Sequence, residues 1–222
     1  MNEIDFVSSL HKKTQRDYLG RVNDKEFPKA KAAELAKKWD FDYWDGDRRI
    51  NYGGYKYINN RWKNVIESLV RHYKLPSNAK ILDVGCGKGF LLYDFLKSFP
   101  NADLYGIDIS EYAIRNAQKE IKENIVLGNA TNLPWPDKFF DLVISINTLH
   151  NLYTFELEQA ILEIQRVGLN KYICVESYRN EVEKANLLYW QVTCESFYTP
   201  DEWKWWFKKN NYNGDYSFIY FE

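Results

Sequence analysis

Residues 81–90 read ILDVGCGKGF: an apolar run meets Asp83 and then sets Gly85, Gly87 and Gly89 at every second position. A strand that runs into such a turn brings its backbone close to whatever lies beyond the strand end, because glycine adds no side chain there. Outward from this point the chain alternates strand-like and helical runs: KILDV, LLYDFLKSF, DLYGI, SEYAIRNAQKEI, IVL, DLVISI, ELEQAILEIQRV and KYICV. That alternation predicts an α/β, doubly wound and mostly parallel sheet. Upstream, residues 60–73 place Trp62, Val65, Ile66, Leu69, Val70 and Tyr73 at helical spacing, so the sheet domain is expected over 60–222. Residues 1–59 read as an amino-terminal helical lid: PKAKAAELAKKW is a helix with proline in its first turn, and FDYWDGDRRINYGGYKY has no clear period. Past the fifth strand, EVEKANLLYWQVTC and TPDEWKWWFKKN read as helices and DYSFIYFE as a closing strand, which leaves six or seven strands open.

Two familiar glycine loops fail on position. A triphosphate loop needs Ser or Thr after its lysine, whereas Lys88 is followed by Gly89, and no glycine stands five residues before Gly87. A dinucleotide loop spaced from Gly85 and Gly87 needs glycine at 90, where the chain has Phe90. What stands is Asp83-x-Gly85-x-Gly87-x-Gly89, which resembles the first motif of class I S-adenosylmethionine-dependent methyltransferases. The resemblance covers about residues 60–180 and includes GNATNLPWPDKFFDLVISINTLHNL.

The resemblance implies a Rossmann-like methyltransferase fold, S-adenosylmethionine as methyl donor and S-adenosylhomocysteine as product. It implies that Asp83 fixes the ligand's ammonium, directly or through water, and that Gly85, Gly87 and Gly89 let the backbone approach the methionine and ribose. Asp108, 19 residues beyond Gly89, can accept from both ribose hydroxyls, and Ile109 offers adenine an apolar face. Asn129 stands where relatives commonly carry an aspartate that accepts from the adenine amino group; Ala130 and Asn147 complete the expected cofactor set. The stretches YGGYKY, GKGFLLYDF and SINTLHNL are similar to a group found in surface-polysaccharide biosynthesis. INTL stands after the fourth strand in place of the N-P-P-Y or D-P-P-Y of base amino-methyltransferases.

The acceptor is expected above the strand ends. His150 is a candidate general base, and Glu176 a second catalytic candidate. Arg48, Tyr52, Tyr55 and Tyr57 in the lid, with Tyr178 and Arg179 after the fifth strand, suit stacking on a sugar or gripping a carboxylate or phosphate. Thirty basic against 31 acidic residues give no field for phosphate backbones, so a small-molecule acceptor is expected and nucleic acid is not. Cys86, Cys174 and Cys194 form neither a disulfide framework nor a metal pattern, and no apolar stretch has signal-peptide or membrane character; a cytoplasmic protein without metal is expected. An N-methyltransferase of a small amine, a non-catalytic S-adenosylmethionine-binding subunit and a nucleotide-dependent oxidoreductase are the rival readings.

Overall fold

A computed structural model describes residues 1–11 and 16–222. Among the described residues, four helices precede the sheet domain: α1 (Ser8–His11), α2 (Tyr18–Asn23), α3 (Lys29–Ala36) and α4 (Phe41–Trp44). There follow α5 (Lys63–Tyr73), β1 (Lys80–Val84), α6 (Phe90–Ser98), β2 (Asp103–Asp108), α7 (Glu111–Arg115), β3 (Ile125–Leu127) and β4 (Phe140–Ile146). Then come α8 (Thr154–Val167), β5 (Gly168–Glu176), α9 (Glu181–Trp190), α10 (Pro200–Lys209) and β6 (Asp215–Ile219).

The six strands lie in the order β3-β2-β1-β4-β5-β6 and every pairing is parallel. The winding reverses between β1 and β4, and at such a reversal the loops leave the carboxyl strand ends in opposite directions and open a crevice. Successive strand residues face opposite layers. Ile81, Leu142 and Cys174 pack with α5, α6 and α9 on one face; Leu82, Val143 and Ile173 pack with α8 and α10 on the other. Strands buried on both faces explain the continuous apolar runs of the sequence.

Two expectations need correction. The helical run 110–121 yields only α7, because the Gln118 N–H turns to the Lys88 carbonyl at 3.4 Å and Ile121 packs under the glycine turn. Residues 1–59 are also not one lid. Ile4 donates to the Tyr216 carbonyl at 2.8 Å, Tyr216 donates to Asn2, and Val7 is buried among the core side chains, so residues 2–7 are anchored to the sheet domain. Residues 29–55 do form a cover, with a small core of Ala32, Ala36, Tyr43, Trp44 and Ile50 against Ala113 and Val192.

Candidate active site

A cleft of about 700 Å³ opens above the carboxyl ends of β1, β2, β4 and β5, with the cover as its opposite wall. The turn after β1 enters with Gly85 at φ 79° and Gly87 at φ 55°. Both need the left-handed region, and neither has room for a side chain: a Cβ on Gly85 would collide with Thr148, and one on Gly87 would lie 2.7 Å from the Trp44 ring. Asp108 is pinned at the end of β2. Its carboxylate accepts from the Gly87 N–H at 2.7 Å and the Ser110 N–H at 2.8 Å. Burial nevertheless raises its pKa, against the pull of those N–H groups, so a hydrogen-bonding ligand would be welcome there.

Ile109, 53% exposed, and Gly128, Asn129 and Ala130 continue this wall. The Asn129 Oδ1 already accepts from the Thr131 N–H at 3.0 Å, so the side-chain carbonyl expected to meet adenine is partly used in fixing its own turn. Asn147, at φ 57°, also lines the cleft, and its buried Oδ1 has no hydrogen-bond partner among the described residues. An orphaned acceptor, a pinned carboxylate and a turn stripped of side chains together fit the polar and apolar parts of S-adenosylmethionine.

Asp83 and Gly89 depart from their expected places. Asp83 is buried off the cleft wall, and burial with the nearby Asp108 charge pushes its carboxyl up to about 8. Gly89 is also off the wall: at φ 68° it starts α6, and a Cβ there would strike Ile121 and Ile125. Its side-chain space belongs to the core.

At the other end of the cleft, His150 and Glu176 form a buried pair, 2% and 5% exposed, with Nε2 and Oε2 3.4 Å apart. The Glu176 N–H points at His150 Nδ1 from 3.4 Å, which fixes Nδ1 as acceptor and the proton on Nε2. Burial drives the imidazole down to about 3, so His150 is a poor general base, contrary to expectation. Burial drives Glu176 up to about 8, against the smaller pull of Gln191 and Arg16. Gln191 donates to its Oε1, while Oε2 has no partner among the described residues.

The cover is tied to the glycine turn. Lys88 Nζ meets both Asp45 oxygens at 2.8 and 2.6 Å and the Tyr55 carbonyl at 3.0 Å. Tyr112 donates to Asp45 at 2.9 Å, and Trp44 Nε1 donates to Ser110 at 2.9 Å. Arg48, Tyr52 and Tyr55 line the cleft. Tyr57 does not: its hydroxyl goes to Asp94 and Lys97 on α6. Tyr178 is buried in the core, and Arg179 is held by Glu183 and Glu222 with its guanidinium 4.1 Å from the Tyr220 ring centre. Neither reaches the cleft wall. In their place stand Arg16, Trp190, Gln191 and Thr193, which no motif had marked.

The family described as "Methyltransferase domain" matches residues 75–211, more than half of the chain. A tRNA (carboxymethyluridine(34)-5-O)-methyltransferase of Arabidopsis thaliana is 31% identical over 130 residues, covering 58% of this chain and 30% of that protein. A demethylmenaquinone methyltransferase of Symbiobacterium thermophilum is 27% identical over 145 residues, covering 60% and 57%. The chain thus spans 30% and 57% of the lengths of these two relatives. Among solved structures, one described as a putative methyltransferase from an antibiotic biosynthesis pathway of Anabaena variabilis superposes with a TM-score of 0.56 at 21% identity, over 68% of this chain and 62% of its own. The YcgJ protein of Bacillus subtilis gives 0.52 at 20%, over 65% and 66%, and both share the wound sheet. Because the family match begins just before β1 and takes in the glycine turn, Asp108 and the His150–Glu176 pair alike, the chain belongs to the methyltransferase domain family.

Proposed function

We propose that the chain catalyses S-adenosylmethionine-dependent methyl transfer to an oxygen of a small polar acceptor, with Glu176 receiving the acceptor's proton. Bound S-adenosylmethionine would supply an activated methyl group on its sulfonium. Gly85, Gly87, Asp108, Ile109, Asn129, Ala130 and Asn147 would hold it. The cover excludes water through the Asp45–Lys88 tie and its aromatic packing.

The observation that carries the reading is the buried Glu176 carboxyl in the same cleft as Asp108, with one oxygen lacking a hydrogen-bond partner among the described residues and a pKa raised to about 8. A carboxylate of that basicity takes a hydroxyl proton better than an ordinary one does. His150 is the positioning residue, holding the Glu176 backbone N–H and facing its Oε2. Tyr52 gives a flat face to a sugar-like acceptor, which agrees with the resemblance of YGGYKY and SINTLHNL to surface-polysaccharide proteins. The Arabidopsis relative is named for a tRNA, so charge balance alone does not remove nucleic acid from consideration as acceptor.

Calorimetry with S-adenosylmethionine and S-adenosylhomocysteine is the first test; silence with both, and binding of NADH instead, overturns the reading. With a turnover assay, kcat should rise with pH and level off above about 8, as Glu176 loses its proton. Glu176→Gln should flatten that profile and lower kcat by about 10²-fold or more. A profile that is unchanged in Glu176→Gln rules out Glu176 as the base.

A further inference from the structure

Three guanidinium groups converge on one indole. Arg21, Arg48 and Arg16 lie 5.3, 5.6 and 5.8 Å from the centre of the Trp190 ring, and Arg16 also stacks 4.4 Å over Phe221. Like charges brought together repel, and the usual remedy is a carboxylate: Arg49 has Asp47 and Arg179 has Glu183. Among the described residues, Arg16, Arg21 and Arg48 have no such partner. Residues 12–15 are Lys, Lys, Thr and Gln, which contain no carboxylate. Glu176 lines the same cleft as Arg16, and its burial favours the uncharged form at neutral pH.

The three arginines divide by position. Arg21 is committed to the fold, donating to the carbonyls of Arg48 and Ile50 at 3.4 and 2.7 Å, and burial with the Arg48 charge pulls its pKa down to about 10. Arg16 and Arg48 reach the cleft. Arg16 has a buried Nε without a partner among the described residues, and Arg48 uses one terminal nitrogen on the Asn51 carbonyl. Arg16, Arg48, Tyr52 and Glu176 line one cleft, so the arginines share it with the proposed proton acceptor.

We infer that Arg16 and Arg48, braced by Arg21 and stacked on Trp190, bind an anionic group of the acceptor, a carboxylate or a phosphate. Planar forks with unused N–H donors match either group, and the indole holds them in place while the anion is absent. That this anion belongs to the methyl acceptor rests on the proposed methyl transfer; the anion site itself does not.

The test is calorimetry of the full chain with S-adenosylhomocysteine, inorganic phosphate and acetate, at ionic strength held constant with sodium chloride. Saturable binding of phosphate, acetate or both is expected, and which one binds tells a phosphate ester from a carboxylate. Arg16→Gln/Arg48→Gln should weaken that binding at least tenfold while S-adenosylhomocysteine affinity stays within twofold. Arg48→Lys, which keeps the charge and loses the fork, should fall between. Wild-type protein that binds S-adenosylhomocysteine but neither anion overturns the inference, as does a folded double glutamine variant that binds anions like wild type. Loss of S-adenosylhomocysteine binding by wild type strikes the methyl-transfer reading instead, and the phosphate and acetate titrations still decide the anion site.

Discussion

Asp108 carries two backbone hydrogen bonds and lines the cleft, so the ligand role proposed for it can be tested apart from its part in the turn. Asp108→Ala is expected to weaken S-adenosylhomocysteine binding by about 2 kcal/mol, the scale of hydrogen bonds to a charged group; an unchanged calorimetric affinity would mean that the carboxylate serves only Gly87 and Ser110. Gly85 and Asp108 were legible in the sequence because both act through local chain geometry, a positive φ and a strand end. Tyr57, Tyr178 and Arg179 were not, because their direction is set by partners on other elements: Asp94 on α6, the core side chains, and Glu222 at the far end of the chain. Arg16 had no signal at all, since its meaning depends on Trp190, 174 residues away.

At the scale of elements, strand alternation marks the sheet, whereas the cover carries no such signal. Residues 41–57 lack periodicity, which suggests a segment ordered only by ligand. Yet α4 and the chain after it are held by tertiary contacts that no local pattern displays: Trp44 Nε1 on Ser110 at 2.9 Å, Tyr55 stacked on Phe90 at 4.9 Å, and Asp45 on Lys88. In this tie the Asp45 carboxyl is raised by burial but held below its ordinary value by the stronger combined pull of Lys88, Tyr112 and the Tyr55 N–H. Lys88→Met leaves that half-buried carboxylate without its cation and should loosen the cover, with a loss on the order of 1–3 kcal/mol after allowing for its exposure. Limited proteolysis is the measurement: wild type should resist cutting at Arg48 and Arg49, and Lys88→Met should be nicked there several times faster. Equal rates would show that aromatic packing alone holds the cover.

Across the whole molecule, Asp215 joins three distant parts. Its carboxylate accepts from Asn2 at 3.1 and 3.0 Å, from Tyr73 at 3.2 Å, and faces His72 Nε2 at 2.8 Å. Burial alone would raise its pKa, but these partners outweigh it and hold the carboxyl below the ordinary value. A carboxyl lowered on folding stabilises the protein above its unfolded pKa of about 3.9, and that stabilisation is lost as pH falls through the lower folded value. Asp215→Asn should therefore lower the unfolding temperature at pH 7 by a few degrees and make little difference near pH 2; an equal drop at both would point to packing rather than charge.

The same junction sets residues 2–4 against β6 at Tyr216, so one margin of the sheet is partly covered, while β3 at the other margin leaves Val126 and Leu127 42% and 52% exposed. A sheet with two bare margins can add neighbours without end, as fibrils do. With residues 2–4 set against β6, the β3 margin is the barer of the two, and a strand from outside would pair there first.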